Sequence, residues 1–191
     1  MLTPNTAASA TVRADRAARL GLAAGSVLFA TALTGAASQV SVTLPGTVVP
    51  FTLQPLAVLL AGAVLGSRLG ALSQALYLAA GVAGASMFAW SPVLLPGIAR
   101  LVGPTGGFLL AYPAAAFVAG LLAERGLARR PLGAAIAMLA GAAVLYAGGA
   151  LGMARFAPVT FALLAPYAAL DTIKIAVACV SVPTLRRALG R

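Results

Sequence analysis

The sequence predicts an all-α integral membrane protein whose chain crosses the bilayer six times. Of its 191 residues, 61% are hydrophobic and only 8% are charged, and the mean hydropathy is +1.01. A soluble domain carries roughly a quarter charged residues. A chain of this length cannot bury so much apolar surface in its own core, so lipid is the simpler solvent for it.

The apolar stretches between the charged residues have the lengths of membrane spans. They cover 20–67, 69–99, 101–123, 131–154 and 156–185. A helix needs about 20 residues to cross the hydrocarbon core. The first stretch, of 48 residues, therefore holds two spans, and each of the others holds one. The predicted spans are 20–38, 55–67, 70–90, 103–123, 132–153 and 159–184, with tails at 1–19 and 185–191.

Two segments outside the spans carry local signals. Residues 1–12 have no charge and little periodicity, which predicts a disordered tail. Residues 38–47 alternate apolar with polar side chains and reach the turn signal Pro45-Gly46, which predicts an extended, β-like loop. The second helix is predicted to begin at Pro55, because proline suits the first helical turn.

The arginines predict the orientation in the membrane. With a cytoplasmic N-terminus, ten arginines lie inside and only Arg100 and Arg155 lie outside, so both termini are predicted to be cytoplasmic. The ten are Arg13, Arg16, Arg19, Arg68, Arg125, Arg129, Arg130, Arg186, Arg187 and Arg191. A signal peptide is an alternative for the first span, since arginines precede an apolar run that ends in small residues. We favour a retained helix, because the run is longer than most signal-peptide cores.

Composition also narrows the function. The net charge of +10 comes from arginines that stand singly or in small groups, without the basic stripe of a nucleic-acid surface. One cysteine and no histidine leave no intramolecular disulfide, no His-ligated metal and no His-based catalysis. No phosphate-binding loop of the G-x-x-x-x-G-K-[ST] type occurs, so any ATP would be hydrolysed by a partner. We predict no catalytic residue, metal site or cofactor; a membrane-embedded enzyme remains an alternative with few chemical options.

Asp171 and Lys174 are charged residues inside the last predicted span. Each charge near a helix centre costs at least about 2.5–3.5 kcal/mol by insertion scales, so both should face the protein interior. Their i,i+3 spacing places them on one helix face. One interpretation is an ion pair that only locks the bundle; we favour a polar pocket that presents an acceptor and a cation. A helix beginning near Pro166 would put Asp171 within about two turns of the outer end.

Further candidate binding residues lie near the outer side. Arg100 precedes Gly103-Pro104-Thr105-Gly106-Gly107, where backbone N–H groups at a helix start favour an anion; a simple tight turn is the alternative. Thr52 and Gln54 precede the second span, and a buried Gln54 needs hydrogen-bond partners. Other possible cavity residues, each as able to satisfy a neighbouring helix, are Gln74, Tyr77, Tyr146 and Tyr167. Trp90 is a further possible lining residue, and an interfacial aromatic belt is its alternative role.

Small residues recur every four positions, which lets helices approach closely. In the first span these are Gly21 with Gly25 and Ala32 with Ala36. Elsewhere they are Gly62, Gly66, Gly70, Gly148 and Gly152. Packing inside the bundle is one interpretation, and docking to a second membrane subunit is the other. The first span is the better candidate for such an interface, because a peripheral helix can turn one face outward.

Taken together, these motifs resemble the BioY family, the substrate-capture (S) components of biotin energy-coupling factor (ECF) transporters. The resemblance runs in order from about residue 26 to 185. It rests on P-F-T-L-Q at 50–54, G-P-T-G-G-F at 103–108 and D-x-x-K at 171–174, supported by Ala61-Gly62, Leu69-Gly70-Ala71-Leu72-Ser73, Tyr77-Leu78, Gly81 and Gly84. Departures are Ala169-Leu170, where the family often has Pro-Gly, and Pro55, where threonine is common.

The resemblance implies a six-helix S-component bundle in the cytoplasmic membrane, with biotin as the transported ligand held near the outer face under the first loop. It implies two kinds of partner: a transmembrane coupling subunit (BioN-like or EcfT-like) and ATPase subunits (BioM-like or EcfA-like). Asp171 and Lys174 match the family's acid and lysine. The segments at Phe51-Thr52-Leu53-Gln54 and 103–107 match its cavity motifs, and Arg100 matches a family arginine. An S component for another vitamin and a structural membrane subunit remain alternatives.

Overall fold

The computed structural model describes residues 6–43, 49–91, 94–156 and 161–190, and most of them are helical. The longer helices are α1 (Thr6–Gln39), α2 (Gln54–Leu65), α3 (Ser67–Val82), α5 (Gly106–Glu124), α6 (Pro131–Met153) and α7 (Phe161–Ala178). Shorter elements are strands β1 (Ser41–Thr43) and β2 (Pro50–Thr52), helices α4 (Ala99–Val102) and α8 (Val182–Ala188), and a 3-10 turn (Leu127–Arg129).

The six predicted helices are all present in the described part of the chain, but they differ in length. Three are long and apolar enough to cross a membrane: Val12–Gln39, Gly106–Glu124 and Pro131–Met153. A fourth span is formed if α7 and α8, bent by 50°, are taken together. Helices α2 and α3 have 12 and 16 residues, fewer than the about 20 of a full span.

Two expectations from the sequence are wrong, namely the disordered tail, in its described part from residue 6, and a start of the last helix near Pro166. Residues 6–12 continue α1 instead of forming a disordered tail, because the segment is alanine-rich and contains no glycine or proline. Helix α7 begins at Phe161, close to the predicted start of the last span at 159, and it continues through Pro166. Pro166 lies in the second turn of α7, where it removes one main-chain hydrogen bond without ending the helix. Asp171 therefore lies 10 residues after Phe161, about three turns into the helix.

The predicted extended loop is confirmed as a hairpin. Strands β1 and β2 pair antiparallel, with Ser41 opposite Thr52 and Thr43 opposite Pro50. The predicted Pro45-Gly46 turn lies outside the described residues. Helix α2 begins at Gln54 with Pro55 in its first turn, as predicted. We call residues 41–43 and 49–53 the hairpin lid.

Helix α5 is the centre of the bundle and packs against α2, α3 and α6. Its inner faces carry buried alanines, and the neighbouring helices meet them with glycine. A Cβ built on Gly62 would collide with the backbone of Ala116, and one on Gly152 would lie 2.5 Å from the Cα of Gly107. Internal packing thus explains these glycines. Gly66 has a different role, since its φ of 86° forms the tight turn between α2 and α3.

The small residues of α1 behave differently. A Cβ on Gly21 or Gly25 would meet nothing within 4 Å, and Ala32 and Ala36 are exposed. Gly21 and Gly25 line an apolar groove of about 530 Å³ between α1, α2 and α8, and Ala32 and Ala36 lie further along α1. Within the described structure this face of α1 is open to a partner.

The two ends of the bundle differ in charge. At one end Ser67 donates from its N–H and its hydroxyl to the Glu124 carboxylate at 2.9 and 2.8 Å, and Arg186 donates to the carbonyl of Ala63 at 2.8 Å. These bonds place the ends of α2 and α5, the start of α3, and α8 at the same end of the bundle. The arginines at 68, 125, 129, 130, 186 and 187 therefore share one end, while Arg100 lies at the other. This is the separation that the positive-inside rule requires.

Adding a methyl group at Gly62 tests the packing of α2 on α5. We expect Gly62→Ala to lower stability by about 1–3 kcal/mol, because its Cβ must displace the backbone of Ala116. The matched control is Gly25→Ala, whose Cβ meets open space. Thermal unfolding of both variants in detergent measures the difference. Equal unfolding temperatures would mean that α2 and α5 are not packed as described.

Candidate ligand-binding site

A cavity of about 60 Å³ lies under the hairpin lid, between the lid-side ends of α2, α5, α6 and α7. Its wall is mostly apolar and includes Phe88, Phe108, Leu109, Leu145 and Leu164. The polar or charged residues in the wall are Thr52, Gln54, Arg100, Thr105, Tyr112, Tyr146, Tyr167 and Asp171. An apolar cavity with a few convergent polar groups is typical of a small-molecule site.

The Asp171 carboxylate is the buried acceptor of this cavity. Its Oδ1 forms an ion pair with the Nζ of Lys174 at 2.8 Å, and its Oδ2 accepts a hydrogen bond from the hydroxyl of Tyr146 at 2.6 Å. A carboxylate oxygen has more than one acceptor position. Asp171 is therefore held in place by α6 and α7 and can still accept a hydrogen bond from a ligand.

Lys174 lies behind the cavity wall and contacts the lid. Its Nζ donates to the carbonyl oxygen of Thr52 at 2.8 Å and lies 3.7 Å from the centroid of the Phe51 ring. With the ion pair to Asp171, the ammonium group has an anion, a carbonyl and an aromatic face as neighbours. In this structure Lys174 connects α7 to the lid and is not part of the cavity lining.

Tyr167 makes a second connection between α7 and the lid. Its hydroxyl donates to the carbonyl oxygen of Val49 at 2.8 Å, and its ring centroid lies 6.2 Å from that of Phe51. Helix α7 thus holds the lid through two main-chain carbonyls, while the same helix supplies Asp171 to the cavity. The acceptor and the lid are mechanically joined.

Gln54 is buried and satisfied, as predicted. Its Nε2 donates to the hydroxyl of Tyr77, which donates onward to the carbonyl of Met87 at 3.2 Å. Its backbone N–H donates to the hydroxyl of Thr52 at 3.2 Å. Gln74 donates to Thr34 and Ser73, at 3.3 and 3.0 Å. Tyr77 and Gln74 therefore join helices in the core and do not line the cavity.

Arg100 and Thr105 have buried polar atoms without protein partners in the described structure. The side chains are 5% and 7% exposed, and both line the cavity. Nη2 of Arg100 donates to the carbonyl of Ala89, whereas Nη1 of Arg100 and Oγ1 of Thr105 have no hydrogen-bond partner. Burial lowers the pKa of the Arg100 guanidinium below its ordinary value. Unsatisfied buried donors carry a free-energy cost that a ligand acceptor removes.

Three further predicted residues, Gly106, Gly107 and Trp90, also lie away from the cavity wall. Gly106 approaches the carbonyl of Leu101, and Gly107 packs against Gly152 of α6, so both glycines permit close backbone packing. Trp90 is 72% exposed, in line with the interfacial role. No sequence pattern marks Tyr112, Leu109 and Leu145 as lining residues, because apolar or aromatic residues in an apolar helix look alike whichever way they face.

A membrane bundle whose largely apolar cavity holds a buried acceptor and unsatisfied donors is typical of membrane proteins that bind a small molecule. The chain matches the model of the BioY family over residues 12–191 and belongs to that family.

Curated relatives agree with this assignment. The chain is 39% identical over 152 residues to the probable biotin transporter BioY of Pyrococcus horikoshii, covering 78% of this chain and 86% of that protein. It is 40% identical over 145 residues to the biotin transporter BioY of Rhodobacter capsulatus, covering 68% and 74%. These relatives are named as transporters, not as enzymes.

A solved structure confirms the fold class. The crystal structure at 2.1 Å of the S-component for biotin from an ECF-type ABC transporter has a TM-score of 0.72 with this chain. The match covers 97% of this chain and 95% of the other at 21% identity. The predicted all-α, S-component-type membrane bundle is therefore confirmed.

Removing the Tyr167 hydroxyl tests its contact with the lid. We expect Tyr167→Phe to raise hydrogen exchange at the lid amides by up to about tenfold, since one hydrogen bond contributes about 0.5–1.5 kcal/mol. The matched control is Tyr146→Phe, which loses a hydroxyl that contacts Asp171 and not the lid. Exchange that rises equally in both variants would contradict a specific role for Tyr167.

Proposed function

We propose that this chain captures biotin for uptake across the cytoplasmic membrane, as the S component of an ECF transporter whose partner subunits hydrolyse ATP. Family membership and the S-component fold support this function. The observation that carries it is the composition of the cavity: an acceptor, Asp171, and unsatisfied donors, Arg100 and Thr105, share an otherwise largely apolar chamber.

The chemistry of biotin fits such a chamber. Its ureido ring offers two N–H donors and one carbonyl, its thioether ring is apolar, and its tail ends in a carboxylate. We assign a ureido N–H to Asp171, because an ionised carboxylate only accepts hydrogen bonds. The thioether ring and alkyl tail fit the wall formed by residues such as Phe108 and Leu145, whose burial with the ligand stabilises the complex.

We assign the biotin carboxylate to Arg100 and Thr105 instead of Lys174. The ammonium group of Lys174 already contacts Asp171, Thr52 and Phe51, whereas Arg100 retains a buried N–H donor without a partner in the described structure. A guanidinium also matches the planar geometry of a carboxylate and forms charge-assisted hydrogen bonds with it. Lys174 then serves to position Asp171 and the lid.

The size of the cavity indicates that capture involves the lid. The volume of about 60 Å³ is small beside the roughly 300–1,000 Å³ of ligand pockets, so side chains or the lid must move outward for biotin to enter. The contacts of Lys174 and Tyr167 with the lid are hydrogen bonds from side chains to main-chain carbonyls, and they can break and re-form without change in side-chain charge. In this mechanism biotin enters from outside, and the ATPase-driven partner later reorients the subunit to release it inward.

The partner surface that we propose is the open face of α1. Gly21, Gly25, Ala32 and Ala36 are its small residues, and the adjoining groove is apolar. Small residues allow a helix of the coupling subunit to approach closely. The ATPases would then act through that subunit, which fits the absence of a nucleotide-binding loop in this chain.

Isothermal titration of the purified subunit in detergent tests the ligand and its orientation. We expect tight binding of biotin, none of riboflavin or thiamine, and loss of binding in folded Asp171→Asn. Arg100→Gln should weaken the affinity for biotin about 10- to 100-fold, since a hydrogen bond to a charged group contributes about 1.5–3 kcal/mol. The matched control is Arg155→Gln, an exposed arginine on the same predicted side.

Biotin methyl ester tests whether Arg100 binds the carboxylate of biotin. If Arg100 meets the carboxylate, esterification weakens binding to the native protein but has little further effect on Arg100→Gln. An equal effect of esterification on both proteins would contradict this orientation. Binding of another vitamin in place of biotin would show that biotin is not the ligand. If no ligand gives a heat of binding, the structural-subunit alternative is favoured.

Enlarging a small residue on α1 tests the partner surface. We expect Ala36→Leu to abolish co-purification with the coupling subunit while leaving biotin binding unchanged, because the added side chain prevents close helix approach. Ala143→Leu, at an exposed position on α6, is the matched control and should retain the partner. Retention of the partner by Ala36→Leu would exclude this part of α1 from the interface.

A further inference from the structure

A second polar cavity, of about 350 Å³, lies at the opposite end of α5 from the ligand site. Thr105 borders the ligand site at the start of α5, and Glu124 borders this second cavity at its end. The 3-10 turn and α8 complete the wall. The charged residues in it are Glu124, Arg129, Arg186 and Arg187. We call this cavity the basic pocket.

The charge of the basic pocket is predominantly positive. Three guanidinium groups face one carboxylate, and that carboxylate is engaged by the N–H and hydroxyl of Ser67. Within the described residues, neither Arg129 nor Arg187 forms an ion pair with an acidic side chain. Arg186 donates one hydrogen bond to the carbonyl of Ala63, which fixes α8 beside the pocket. The arrangement therefore favours an anion.

Helix α8 and the residue that follows it separate basic from apolar side chains. Arg186 and Arg187 line the pocket, whereas Leu185 and Leu189 line the apolar groove against α1 and α2. The axis of α8 is bent by 50° from that of α7. A helix with basic residues on one side and leucines on the other is typical of the lipid–water interface.

We propose that the basic pocket binds the phosphate of an anionic phospholipid headgroup from the cytoplasmic leaflet. Arginine presents paired donors that match phosphate oxygens. The pocket lies at the arginine-rich end of the bundle, which the positive-inside rule assigns to the cytoplasm, where anionic lipids attract basic residues. A lipid is favoured over a soluble anion because the arginine-rich end of a membrane bundle lies beside the headgroups of the leaflet.

Native mass spectrometry of the purified subunit tests this site with phosphatidylglycerol and phosphatidylcholine as probes. We expect phosphatidylglycerol to be retained at least about tenfold more tightly than phosphatidylcholine. The double variant Arg129→Gln/Arg187→Gln should lose about tenfold in phosphatidylglycerol affinity. The control is Arg13→Gln/Arg16→Gln, which removes the same charge from exposed positions on α1 and should have little effect.

Three results would overturn the proposal. Equal retention of the two lipids would show that charge does not select the lipid. An equal loss in both double variants would indicate attraction to net charge and not a defined pocket. Displacement of phosphatidylglycerol by millimolar inorganic phosphate would assign the pocket to a soluble anion. Unfolding temperatures of both variants, measured first, verify that each one is folded, and Arg129→Lys/Arg187→Lys provides a charge-conserving pair that should retain part of the affinity.

Discussion

The ionised carboxylate of Asp171 in the interior of an apolar bundle constrains much of the surrounding structure. A buried charge is tolerated only when its partners satisfy it. Here the ammonium of Lys174 and the hydroxyl of Tyr146 do so, from the same helix and from α6. Lys174 has further donors, and it uses one on the main chain of the lid. The interactions that satisfy this one buried acid therefore connect α6, α7 and the lid.

Helices α5 and α7 have different structural roles. Helix α5 is a rigid axis, because glycines at 62 and 152 let α2 and α6 approach it at backbone distance. Helix α7 contacts fewer helices and instead holds the lid through hydrogen bonds. Helices α2, α5 and α6 are closely packed, whereas the lid is held by hydrogen bonds from α7. The lid can therefore open the cavity without disturbing the packed helices. The same division leaves the small residues of α1 available at the surface.

The prediction of the candidate site from sequence was partial, for physical reasons. Asp171 and Gln54 were identifiable because polar groups in apolar segments need partners. Lys174 was equally conspicuous, but its role depends on where the lid lies. Tyr77, predicted as possible lining, is a core residue that satisfies Gln54. Tyr112 and Leu145 line the cavity without any distinguishing pattern, because every face of these helices is apolar.

The sequence by itself determined the membrane class, the six helices, the extended segment after the first helix and the clustering of arginines at one end. These follow from hydropathy, helix length and turn chemistry, which are local properties of the chain. The tertiary structure decided that α7 continues through Pro166, that Lys174 contacts Thr52 across 122 positions, and that Arg100 retains an unpaired donor inside the cavity. Such contacts join distant residues, and only the packing of the helices brings them together.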